Sequence, residues 1–197
     1  MRQPDEQEIA AARPALIALG SNLGGDAGPP AAMLRRAIAE IGAAIGDITS
    51  QSRIWQTPCF PAGSGPDYAN AALCLNTPLD AAEILHRLHV IEADHGRARE
   101  QRWGSRTLDL DLLALGDLVL PDADTHDHWR NLPAVQQQMR APGQLILPHP
   151  RLQDRGFVLV PLAEVAPDWV HPILQRSVRQ MLAALPAADR SGIVALQ

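Results

Sequence analysis

The chain has 197 residues, is 46% hydrophobic and carries a formal net charge of −5, a balance that fits one globular domain with a self-sufficient core. The negative charge excludes a broad nucleic-acid or anionic-membrane binder. All 17 basic residues are arginine, so a Walker A lysine and a Schiff-base mechanism are both excluded.

Cys59 and Cys74 are the only cysteines, too few for a disulfide framework or a Cys-rich zinc site. Residues 1–13 are polar and acidic, unlike a signal peptide, and are expected to form a flexible tail. No apolar run is long enough to span a bilayer. The expectation is a cytoplasmic, monomeric enzyme, with one domain over 14–197 and an insertion at about 121–143.

Ala15 to Leu19 is a short apolar run closed by Gly20, as in a buried strand. Pro29 and Pro30 suit the first turn of a helix, and Leu34, Ala37, Ile38, Ile41 and Ile45 follow at helical spacing. Ile48 to Gln56 is predicted as one strand, Thr57 to Asp67 as a Pro/Gly loop, and Tyr68 to Asn76 as the next strand. Asp80 with Glu83 forms a capping-box pattern ahead of the stripe Ile84, Leu85, Leu88 and Ile91.

The order βαββαβ predicts an α+β, ferredoxin-like fold: an antiparallel sheet with helices packed on one face, plus C-terminal helices. Leu118 to Leu120 and Leu145 to Pro148 are predicted as short strands. Pro121 to Gly143 is predicted as polar and irregular, with a short helix around Ala134 to Met139. Val158 to Ala166 and Ser177 to Leu185 are predicted helices.

The richest stretch runs from Arg97 to Leu112, where four arginines (Arg97, Arg99, Arg102, Arg106) lead into Leu108-Asp109-Leu110-Asp111-Leu112. On a strand the leucines face a core, while Asp109 and Asp111 share the other face with Cα atoms roughly 6–7 Å apart. Carboxylates that close repel unless cations lie between them, and Mg²⁺ takes such ligands together with substrate phosphates. Guanidinium forks beside them suit phosphate oxygens. The pattern points to metal-assisted phosphoryl chemistry.

Four blocks resemble the 6-hydroxymethyl-7,8-dihydropterin pyrophosphokinase family of folate biosynthesis: Ala18 to Gly24, Pro66 to Ala72, Arg102 to Leu112, and Leu147 to Pro150 with Arg155 to Val158. The resemblance implies a ferredoxin-like pyrophosphokinase domain that moves pyrophosphate from ATP to the pterin hydroxymethyl group. By position it implies that Asp109 and Asp111 hold two Mg²⁺ ions and that Arg97 and Arg106 contact the phosphates. It places Glu92, Arg99, Trp103, His149 and Arg155 along the ATP site. Thr57, Tyr68, Asn70 and Phe157 fall at pterin positions, with Tyr68 and Phe157 stacking on the ring. Ser105, Gln144 and His89 depart from the commoner motif residues.

Each feature also has a plainer interpretation. The Asp pair alone resembles the wet face of a strand, although Asp is disfavoured there. Asp122, Asp124, His126, Asp127 and His128 form a metal-like cluster that an exposed polar loop explains better. Two rival functions are a non-catalytic small-ligand sensor on the same fold and another Mg-dependent nucleotide transferase with a D-x-D motif.

Overall fold

The computed structural model describes residues 11–23, 28–59, 65–96, 107–133, 136 and 139–196. Arg97, Arg99, Trp103 and Arg106, with Ser105, lie outside the described residues, as do residues 1–10 and most of the predicted 134–139 helix.

A six-stranded sheet runs in the order β5-β1-β4-β3-β6, with β2 also beside β4. The strands are β1 (Arg13–Ser21), β2 (Asp47–Gln51), β3 (Trp55–Thr57), β4 (Tyr68–Thr77), β5 (Asp109–Leu115) and β6 (Val194–Ala195). Every ladder is antiparallel. The predicted strand over 48–56 is two strands, because Ser52 leaves the ladder and instead bonds Ala72 with its backbone and hydroxyl. The predicted strands near 119 and 146 reduce to one bridge between Leu120 and Leu147.

Helices α1 (Pro30–Ala44) and α2 (Ala81–Asp94) cover one face of the sheet. Their apolar stripes, including Leu34, Ile38 and Ile41 on α1 and Ile84, Leu88 and Ile91 on α2, bury against Ile17, Leu19, Leu73, Leu75, Leu110 and Leu112. Each fully buried Leu or Ile here is worth roughly 1.5–3 kcal/mol. The expected capping box forms, with Glu83 N–H donating to Asp80 and Asp80 N–H donating to Glu83. Gly46 lets α1 turn into β2, since a Cβ there would run into the Asn76 carbonyl oxygen.

The other face is not bare, as a sheet with helices on one side would be. Helices α4 (Gly156–Val165) and α5 (Val178–Ala184) cover half of it. Val158, Leu159, Leu162, Val178 and Met181 bury there against Leu16, Ala72, Leu113 and Ala114. A bulge makes this possible: β1 pairs Leu16 with Ala114 and Ile17 with Leu112, so Leu113 is the extra residue. Leu113 and Ala114 therefore both face the second core. A further helix, α3 (Ala123–Arg130), replaces the irregular segment expected after Pro121. Asp122 caps it by accepting from Thr125 N–H at 2.8 Å, and His126 is buried beneath it.

Candidate active site

Strand alternation leaves Asp109 and Asp111 on the second face of β5, at the end that α4 and α5 do not cover. Asp109 pairs with Gly20, Gly20 with Asn70, and Asn70 with Trp55. One row thus crosses four strands, and the acidic pair lies about two strand spacings, roughly 10 Å, from Asn70. Between them β1 offers only Gly20 and Ala18, a floor with almost no side chain above it. A Cβ at Gly20 would come within 3.1 Å of Asn70 Oδ1, so the glycine keeps that floor flat.

The far side of the floor is polar and ordered. Thr57 pairs with Tyr68 across β3 and β4, and Asn70 Nδ2 donates to Thr57 Oγ1 at 2.7 Å in a buried contact. Thr57 accepts, so its own hydroxyl proton is free to point toward a ligand acceptor. Tyr68 is half-buried on the same face. Phe157, in the first turn of α4, is 41% exposed, and the Arg155 guanidinium lies 5.6 Å from its ring centre. An exposed ring beside a cation is a poor core residue and a usable stacking surface.

The near side gathers charge. Arg155 Nη1 lies 4.0 Å from Asp111 Oδ2, whose side chain is 38% exposed. An ion pair that long and wet contributes about 0–1 kcal/mol, so Arg155 can exchange the carboxylate for a phosphate at little cost. His149 joins from the loop after the Leu120–Leu147 bridge, its N–H donating to Leu113 O at 2.8 Å. Its Nδ1 accepts from Arg151 N–H at 3.1 Å, which places the ring proton on Nε2. Burial, with repulsion from Arg155, holds its pKa down at about 3 despite the pull of Asp109. His149 is therefore a neutral Nε2–H donor at physiological pH.

Glu92 stands apart from the open face. It is 1% exposed, and its Oε1 accepts from Leu110 N–H at 2.8 Å, holding β5 between the two aspartates. Ser21 was absent from the predicted site; its hydroxyl donates to Thr107 O at 2.5 Å and fixes the chain just before Asp109. Among the described residues, no group of three or more His, Cys, Asp or Glu could hold a metal ion. The segment carrying Asp122 to His128 is a capped helix. Two carboxylates on an open face fit Mg²⁺, which uses one or two carboxylates plus substrate phosphates and keeps several waters.

An all-antiparallel sheet with helices on both faces and a polar half-face across four strands defines an α+β protein. Residues 16–167 match the model of the 7,8-dihydro-6-hydroxymethylpterin-pyrophosphokinase (HPPK) family, and the chain belongs to that family. It is similar to the 2-amino-4-hydroxy-6-hydroxymethyldihydropteridine pyrophosphokinase of Synechocystis sp., with 38% identity over 160 residues, 81% of this chain and 72% of the relative. The Methylorubrum extorquens protein of the same name is 36% identical over 180 residues, 91% of this chain and 96% of the relative. Among solved structures, wild-type Plasmodium falciparum HPPK-DHPS superposes with a TM-score of 0.63 at 13% identity, covering 90% of this chain and 45% of that one. That likeness shows the fold alone.

Proposed function

We propose that the open half of the sheet binds ATP at the Asp109–His149–Arg155 side and 6-hydroxymethyl-7,8-dihydropterin at the Thr57–Asn70 side, and joins them by pyrophosphate transfer. The family, and the name its relatives share, make the chain a pyrophosphokinase of folate biosynthesis with ATP as co-substrate. The non-catalytic sensor is not favoured. A D-x-D transferase built on parallel βα units does not fit a sheet whose ladders are all antiparallel.

The observation that carries the residue roles is the register row Asp109–Gly20–Asn70. In this reading the row would carry a phosphate end and a ring end on one flat floor. Asn70 and Thr57 would match the donor–acceptor edge of the pterin, and Tyr68 and Phe157 would stack on its faces. Asp109 and Asp111 would hold two Mg²⁺, whose chemistry is to neutralise phosphate oxygens on both sides of the transfer. His149 Nε2–H and Arg155, with Glu92 behind them, would orient the nucleotide, as would Arg99 and Trp103. Arg97 and Arg106 would reach the transferring phosphates.

The hydroxymethyl oxygen bonds to the β-phosphorus and gives up its proton to solvent, while the bond from that phosphorus to the AMP oxygen breaks and AMP leaves with the electron pair. Positioning and charge stabilisation do most of such work. Each arginine donor aimed at the moving group is worth on the order of 3 kcal/mol when water is excluded. No helix among the described residues is long and apolar enough to cross a membrane.

The test is AMP release from MgATP. One AMP per pterin consumed, none when the reduced pterin alcohol is omitted, is the expected result. AMP formation that ignores the pterin, or ADP as the product, would overturn the assignment.

A further inference from the structure

Helix α3 carries a buried group that the pyrophosphate transfer does not use. His126 is 0% exposed, and its Nε2 lies 3.0 Å from the Pro148 carbonyl oxygen. A carbonyl only accepts, so the His126 proton is on Nε2 and Nδ1 keeps a lone pair. His171, in the loop between α4 and α5, is also 0% exposed. Its Nδ1 accepts from the N–H groups of Ile173 at 3.2 Å and Leu174 at 3.3 Å, which puts its proton on Nε2.

The two nitrogens left over are complementary. His126 Nδ1 and His171 Nε2 are buried without a hydrogen-bond partner, one a lone pair and the other an N–H. The rings meet edge to face with centroids 5.5 Å apart. Trp169 packs against His171 at 5.7 Å and donates its Nε1–H to Gly116 O at 3.0 Å. Each ring satisfies backbone groups on one nitrogen, His126 the Pro148 carbonyl and His171 the Ile173 and Leu174 N–H groups, while apolar residues here would leave those groups without a partner. What the pair holds is the carbonyl just before His149.

We propose that His126, backed by His171, is a positioning residue for the nucleotide side of the site: its Nε2–H fixes the Pro148 carbonyl and so sets the His149 ring. The loop is then pinned on both sides of that ring, by His126 before it and by the Leu113 and Arg151 bonds at and after it. This inference rests on His149 being part of the nucleotide site.

Steady-state kinetics on His126→Phe, His126→Gln, His149→Ala and the His126→Phe/His149→Ala double variant test it, with thermal melts to confirm folding. His126→Phe removes the donor at similar size, and its KM for ATP is expected to rise about three- to tenfold. Its KM for the pterin should stay within about twofold. His126→Gln, whose amide nitrogen has a reach like that of Nε2, should restore most of the ATP affinity. The double variant should be no worse than His149→Ala, because both act through one ring.

Additive losses, equal effects on both substrates, or no effect of His126→Phe where His149→Ala raises KM for ATP would overturn the inference alone. Unchanged KM for ATP in His149→Ala would overturn the nucleotide-site role of His149 and the inference with it. Should His126→Phe fail to fold, His126→Asn replaces it. Asn carries its amide nitrogen nearer the backbone, and equal KM values for the Asn and Gln variants would overturn the proposal.

Discussion

Glu92 Oε1 accepts the backbone N–H of Leu110 at 2.8 Å, so a helix carboxylate grips the strand midway between Asp109 and Asp111. Glu92→Leu would leave that buried N–H unsatisfied, a cost of about 1–3 kcal/mol. Glu92→Gln keeps an acceptor oxygen and should cost less than Glu92→Leu. Urea unfolding midpoints at unchanged m-value measure both. If the two variants lose equal stability, the Leu110 bond is not what holds the strand.

The Asp pair should behave in the opposite way, costing function rather than stability. Asp109→Ala and Asp111→Ala each remove one of two facing carboxylates from an open surface, so both should fold. Both should lose most turnover, more than Arg97→Ala, which removes one phosphate donor and leaves the metal ligands in place. Nucleotide binding should also become much less dependent on Mg²⁺. Turnover and ATP affinity across a Mg²⁺ titration check this, and near wild-type turnover in either folded Asp variant would remove the pair from the mechanism.

Elements with a local signature were legible in the sequence. The period of α1, the Asp80–Glu83 capping box and the Leu/Asp alternation of β5 each carry their own instructions. Helix α3 hid because its composition is polar; its order comes from one cap, Asp122, and one buried ring, His126. The bulge at Leu113 hid inside the apolar run Leu112-Leu113-Ala114, where sequence cannot say which residue is extra. The two covered faces follow from that bulge and from where α4 and α5 dock. Asp109 and Asp111 were legible because alternation fixes their face. The Asn70–Thr57 contact joins two different strands, so nothing within either strand announces it.

The ring-binding end makes a separate prediction. Tyr68→Ala or Phe157→Ala should weaken pterin binding about 10- to 100-fold, taking ~1–3 kcal/mol for stacking on one aromatic. ATP affinity should fall less, with Phe157→Ala losing only its ring contact to the Arg155 guanidinium. Fluorescence or calorimetric titration with each ligand separates the two effects. Unchanged pterin affinity in both variants would sink the stacking assignment.

Acid should weaken the fold before the carboxylates titrate. Burial, together with the neighbouring His126 and Arg130, holds the His171 pKa at about 4 against an ordinary 6.5, Asp127 pulling weakly the other way. Burial lowers His126 as well. The unfolded chain therefore binds protons that the native pair refuses, and stability falls as pH drops from 6.5 toward 4. From about one pH unit above 6.5 both rings are neutral in either state and contribute no slope. Glu40 and Glu164 are pushed up by burial but lowered more by hydrogen bonds, to His95 and Arg36 for Glu40 and to Arg53 for Glu164. Both end below 4.5, so their losses begin only in stronger acid. One such histidine gives at most about 1.4 kcal/mol per pH unit. Denaturation midpoints at pH 7.5, 6.5, 5.5 and 5.0 should decline in the wild type and decline less in His171→Asn, which keeps an acceptor for the Ile173 and Leu174 N–H groups but has nothing to protonate. Equal slopes in the two proteins would show that the buried pair is already charged, or not buried, in the native state.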